Sequence, residues 1–271
     1  MSAAPLDPRL VRLIDRLPKA ELHVHLEGSV EPELALALAR KHGRRLPGDE
    51  EGPEGLRRHY RFQDFREFVR LYVAISACMN DAEDFAAIAV DLARKLAAEN
   101  VRRAEVTFTP MTHVARGVPP DVVLAGLAEG RARAREAHGV ELAWVFDIVR
   151  IFFDQAAPTL ELALRGQRDG VIGLGFAGPE APQWPTAPFA PLLARARAAG
   201  LRSLPHAGEM DGPSSVWSAL RDLQADRIGH GVRSLEDPAL LDHLRARQIP
   251  LEVCPTSNLG IGLFPRLAAH P

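Results

Sequence analysis

Apolar and polar positions along the chain change period repeatedly. Short runs with strand character, rich in β-branched and aromatic residues or strictly alternating, recur at Glu21 to Leu26, Ala104 to Thr109, Leu142 to Ile148, Val171 to Phe176, Leu201 to His206, Arg227 to His230 and Pro250 to Cys254. Between them, apolar residues fall three and four apart at Glu31 to His42, Phe62 to Met79, Ala82 to Glu99, Pro120 to His138, Phe189 to Ala199, Ser214 to Leu223 and Pro238 to Arg247, the spacing of helices with one buried face. This alternation predicts an α/β protein with a parallel sheet covered by helices, either an open sheet or a closed barrel. No glycine-rich phosphate turn follows the first run, which weighs against a dinucleotide-binding sheet. The proline- and glycine-rich patches at 45–55 and 178–191 are short and read as loops, so one domain over residues 1–271 is expected.

Polar residues gather where the strand runs end. In "AELHVHLEGS", His23 and His25 share one face while Leu22, Val24 and Leu26 point the other way. Alone, such a pair is more often two hydrogen-bonded core histidines than a metal grip. His206 and Glu209 follow the fifth run and His230 the sixth. A (β/α)₈ barrel of the TIM type carries its active site at the C-terminal ends of its strands and would bring all of these to one mouth, where an open sheet would scatter several. Three imidazoles from two strands, His23, His25 and His206, form a set suited to zinc, iron or manganese, with zinc favoured for hydrolysis. Glu209 in "LPHAGE" is placed to face the metal without binding it, and a carboxyl shielded from water can hand a proton to a substrate nitrogen. The competing reading of Glu209 is a carboxylate that favours a helix N-terminus. In "RIGHGV", flanking glycines are expected to leave His230 exposed at the rim, able to orient or deprotonate the attacking water.

Charge and cysteine content narrow the partners. The 33 basic and 35 acidic side chains among 271 residues are well mixed, which removes the electrostatic case for nucleic acid or an anionic membrane and favours a small neutral ligand. Two cysteines, Cys78 and Cys254, make no disulfide framework and lack metal-ligand spacing, consistent with a reducing cytoplasm. The N-terminal stretch carries charges throughout, unlike a signal peptide, and no apolar run is long enough to span a bilayer. Oligomeric state is not legible.

The segments "LPKAELHVHLEGS", "GFAGPE", "LPHAGE", "RIGHG" and "LEVCPTSN" together resemble, in order and rough spacing, the adenosine deaminase family, over essentially the whole chain. The resemblance implies a TIM-like barrel with a single zinc ion that removes ammonia hydrolytically from C6 of a 6-aminopurine. By it, His23, His25 and His206 match zinc ligands, Glu209 the acid that protonates purine N1, and His230 the residue that positions the attacking hydroxide. Gly178 matches a backbone contact to the purine, and Glu27 stands where many relatives carry an aspartate near the ribose. "FAGPE" departs from the commoner Asp-Leu-Ala-Gly pattern by carrying Gly175 and Phe176. Phe62, Phe65 and Phe68 resemble the lid over the pocket, or else form an ordinary amphipathic core face. The bridging lysine of two-metal amidohydrolases is absent after the fourth run, and so is the Pro-Cys-x-x-Cys signature of cytidine-type deaminases. The stretch 200–231 resembles bacterial branches that include aminodeoxyfutalosine deaminases, while the N-terminal motif also resembles adenosine and adenine deaminases.

After "CPTSN" the family pattern continues into an eighth strand ending in adjacent aspartates, and no such segment precedes Pro271. The expectation is therefore a barrel truncated after its seventh strand, with the first and seventh strands as open edges. It carries an alternative to a nucleoside deaminase: an adenine deaminase, or an inactive truncated paralogue that serves in binding or assembly.

Overall fold

The computed structural model describes residues 7–62 and 64–271. Residues 1–6 and 63, which fall in the predicted domain and near the start of the predicted helix 62–79, lie outside the described residues. Seven parallel strands form one sheet in the order of the sequence: β1 (Lys19–His25), β2 (Val101–Phe108), β3 (Glu141–Val149), β4 (Val171–Ala177), β5 (Arg202–Ala207), β6 (Ile228–His230) and β7 (Leu251–Glu252). Each strand pairs with its neighbour in parallel register and each connection runs through helix, the arrangement of an incomplete TIM-type barrel.

The two faces of the strands do different work. On β3, Trp144, Phe146 and Ile148 are fully buried and point outward, where Phe146 meets Phe108 of β2 and Phe108 meets Phe85 of the helix Ala82–Ala98. The alternate positions Val145 and Asp147 point inward over Gly175 of β4. The interior therefore holds polar chemistry while the apolar core lies between sheet and helices.

Among the described residues β1 and β7 share no backbone pairing, as expected for the two edges. They are joined by side chains: Glu252 of β7 accepts a hydrogen bond from His23 of β1 at 2.6 Å, and Arg227, just before β6, bonds both Glu252 and Glu105 of β2. These bridges show that the sheet curls back on itself.

Several boundaries differ from the sequence reading. The predicted helix 62–79 begins only at Phe65, because Asp64 caps it by accepting from the Glu67 amide at 2.8 Å, and ends at Ser76. The predicted strand 250–254 narrows to Leu251–Glu252, since Pro255 opens a short helix. The patch 45–55 is not all loop, since Gly52–Arg58 is helical with proline in its first turn. The helix Pro8–Arg16, preceded by an Asp7 cap, also forms, and it buries none of its residues. No helix among the described residues is long and apolar enough to cross a membrane.

Candidate metal centre

The sequence places His23 and His25 at the end of β1, His206 one residue before the end of β5 and His230 at the end of β6, and the fold brings all four together. His25 Nε2 and His206 Nε2 stand 3.1 Å apart. The His23 ring lies 4.7 Å from both the His206 and His230 rings. Gly229 makes this possible, since a Cβ there would come within 2.9 Å of His23 Cε1.

His230 differs from expectation. It is 4% exposed rather than standing at the rim, and it adopts φ +64° itself, with Gly231 also left-handed. A non-glycine residue in that region stores strain, which the surrounding contacts must hold in place. Asn258 approaches His230 Nδ1 at 3.3 Å and is in turn bonded to His270 at 3.0 Å.

Burial sets the protonation of the cluster. Burial, reinforced by the neighbouring imidazoles, lowers the pKa of His25 to about 4, that of His230 to about 2, and that of His206 well below its ordinary value. Neutral imidazoles offer lone pairs, which is the state a metal requires. Glu209, in the bend after β5, lies 3.4 Å from His230 Nε2. Burial, aided by the charge of Glu180, pushes the Glu209 carboxyl up to about 7. Glu180 also shapes this bend: it accepts from the amides of Gly208, Glu209 and Met210 at 2.7, 3.0 and 3.2 Å.

Three groups that carry no role in the sequence reading stand in the same place. Glu252 holds His23 Nδ1, leaving Nε2 as the free lone pair, an arrangement typical of metal-ligating histidines. Asn258 supports His230. Asp147 is 1% exposed, with neither carboxylate oxygen hydrogen-bonded among the described residues. Burial raises its pKa well above the carboxylate range.

The remaining predicted residues sit around this cluster. Glu27 is fully buried and one of its oxygens is committed, to the Thr109 amide at 2.9 Å and to His113 Nε2 at 3.3 Å. Gly178 follows β4 with φ +94° and passes beside Val149 and Arg150. Phe62 packs against the main apolar core, and both Phe62 and Phe65 touch Phe68, at 5.4 and 5.9 Å between ring centroids. Phe68 meets Tyr72, whose hydroxyl is 3.4 Å from Thr109 Oγ1. This ladder ends beside Glu27 rather than at the histidines.

The cluster fits a divalent metal. Two nitrogens bound to zinc at ~2.0–2.1 Å with a tetrahedral angle stand roughly 3.3 Å apart, close to the His25–His206 spacing. His206 Nδ1 and both Asp147 oxygens are buried without partners among the described residues. His23, His206 and His230, and separately His25, Asp147 and His206, each offer ligand atoms that lie within 4.8 Å of one another. A third group, His42, Asp81 and Asp84, is already neutralised by Lys41, which is 2.7 Å from both aspartates. At the other end of the barrel a cavity of about 600 Å³ is lined by Arg103, Glu105, Arg202 and Arg227, but these side chains already pair with acidic neighbours.

The profile of a family described as adenosine deaminase matches residues 18–271. An aminodeoxyfutalosine deaminase of Streptomyces avermitilis is 42% identical over 259 residues, covering 94% of this chain and 71% of that protein. The crystal structure of an adenine deaminase from Arthrobacter aurescens superposes with a TM-score of 0.87 at 37% identity, over 94% of this chain and 77% of that one. An amidohydrolase of Burkholderia ambifaria, solved with bound zinc, superposes with a TM-score of 0.85 at 26% identity, over 97% of this chain and 72% of that one.

Proposed function

This chain belongs to the adenosine deaminase family, and from that premise we propose that it removes the amino group of a 6-aminopurine hydrolytically, with one zinc ion as cofactor. His23, His25 and His206 serve as metal ligands, Glu209 as proton donor and His230 as the group that orients water. The observation that carries this reading is the convergence of four buried histidines with a carboxyl held near neutrality, 3.4 Å from one of them.

A zinc ion in such a site supplies a Lewis acid and a water whose pKa falls to about 7. The side chains do the rest. Glu209, its pKa pushed up to about 7, is present in part as the acid at neutral pH and gives its proton to ring N1, which makes C6 electrophilic. His230 is held neutral and offers Nε2 toward the attacking water. Water adds to C6 with loss of a proton; the C6–N bond then breaks as the amino group takes up a proton and leaves, so that one water and one aminopurine become one oxopurine and one ammonia. The Gly178 backbone contacts the purine, and Glu27, Phe62 and Phe65 border the side where a sugar or other N9 substituent would lie.

The test is ammonia release from adenine, adenosine and aminodeoxyfutalosine, with zinc content measured on the same sample. Turnover of at least one of the three, abolished by chelation and restored by zinc, is expected. Stoichiometric zinc with no turnover of any 6-aminopurine would overturn the substrate class.

A further inference from the structure

Asp147 is the carboxylate of the cluster with no hydrogen-bond partner on either oxygen among the described residues. The strand register sets it opposite Gly175. Its carboxylate is buried, and both oxygens lack a hydrogen-bond partner among the described residues. The nearest candidate cation, Arg150, is engaged elsewhere: it donates to the His206 carbonyl at 3.0 Å and lies 4.8 Å over the Phe176 ring. An unpaired buried carboxylate is costly, and folded proteins rarely keep one without a partner.

Gly175 shows that the position is built. A Cβ there would lie 1.9 Å from Asp147 Oδ1 and 3.1 Å from Cγ, so no other residue fits while Asp147 keeps its place. Gly175 is not among the residues with positive φ, so the glycine serves space rather than backbone conformation. The commoner Asp-Leu-Ala-Gly pattern would set a carboxylate on β4 at this point. Here β4 carries Gly175, and the neighbouring strand sends a carboxylate over its Cα. The atoms that Asp147, His25 and His206 offer lie within 4.8 Å of one another, yet Asp147 bonds to neither histidine. The three side chains therefore lie within reach of one ion.

We propose that Asp147 is a carboxylate ligand of the metal centre, acting with His25 and His206, and that Gly175 is its matched partner. The inference rests on the reading of the histidines as metal ligands. It adds a strand, β3, to those that hold the ion.

The test is metal affinity, by competition with a chromophoric chelator for zinc, together with the visible spectrum of the cobalt-substituted protein. D147N is expected to weaken zinc at least tenfold and to change the cobalt spectrum. Its metal-free melting temperature should be unchanged, because the amide fills the same space and the wild-type carboxyl makes no hydrogen bond among the described residues that it could lose. G175A should weaken zinc comparably although the carboxylate remains, by displacing it. The exchange variant D147G/G175D keeps the space and returns one carboxylate, and it should recover affinity relative to D147G. Should D147N fail to fold, this pair decides the question. Wild-type affinity and spectrum in D147N, or no recovery in the exchange variant, overturn the inference while leaving the histidine site intact. Absence of zinc binding in the wild-type protein overturns both.

Discussion

Glu209 Oε1 lies 3.4 Å from His230 Nε2, and the two are tuned in opposite senses: burial pushes the carboxyl up to about 7 and holds the imidazole neutral down to about 2. A proton donor and a neutral acceptor therefore stand side by side at pH values up to about 7, the division of labour that acid–base catalysis needs.

The pH dependence follows from the sign of the Glu209 shift. The acid form is present below about 7 and is lost above it, so kcat/KM should fall on the alkaline side with a limb near 7. E209Q should lower kcat/KM by about 10²–10⁴-fold and remove that limb. E180Q, which takes away a neighbouring negative charge, should move the limb to lower pH. A pH–rate profile of the three proteins checks this, and an unmoved alkaline limb in E209Q would assign it to another group.

Glu252 acts on the site through His23 and is a positioning residue. E252A leaves His23 Nδ1 and Arg227 without a partner they hold now. Zinc affinity should fall about 10–100-fold, while E252Q, which keeps an acceptor, should lose less. Chelator competition measures the difference, and equal losses in the two variants would reduce Glu252 to a packing role.

The left-handed backbone of His230 separates chemistry from strain. A non-glycine residue costs about 1–2 kcal/mol in that conformation, so H230G should unfold at higher denaturant than H230A although both lack the imidazole. Both should lose comparable turnover. Denaturant midpoints and kcat for the pair check this.

Glu27 ties stability to acid pH. Burial raises its pKa, but hydrogen bonds from His113 and the Thr109 amide outweigh this and hold the carboxyl below its ordinary 4.5. A depressed carboxyl contributes stability above its unfolded value that is lost as pH falls through the folded one. H113A should therefore destabilise by about 1–3 kcal/mol at pH 7, and by less in acid below the folded value. Urea unfolding of wild type and H113A at both pH values tests it.

The candidate metal site was legible where motif and strand end coincide. His23, His25, His206 and His230 all lie at the ends of readable strands, and barrel geometry alone predicts their meeting. Asp147 and Glu252 were not legible. Each is a lone carboxylate in an apolar run, "AWVFDIV" and "PLEVC", and only the strand register shows what it faces. Glu180 lay inside a recognised motif with no role, because its task is to hold three amides of a loop 28–30 residues further on. The burial of His230 is not legible for a related reason: its own backbone takes up the left-handed turn together with Gly231. Element ends moved where proline and an aspartate cap set them, as at Asp64 and Pro255.

The bond between His23 and Glu252 joins residues 229 apart in sequence. Contacts of such long range come late in folding, because almost the whole chain must be ordered before the two ends can meet. The site thus spans the seam between the first and last strands of the sheet. An ion captured there would latch a rolled sheet at the contact that spans most of the chain, so the rate at which the unfolded chain acquires metal should be set by the closing of the sheet and not by the chemistry of the ion.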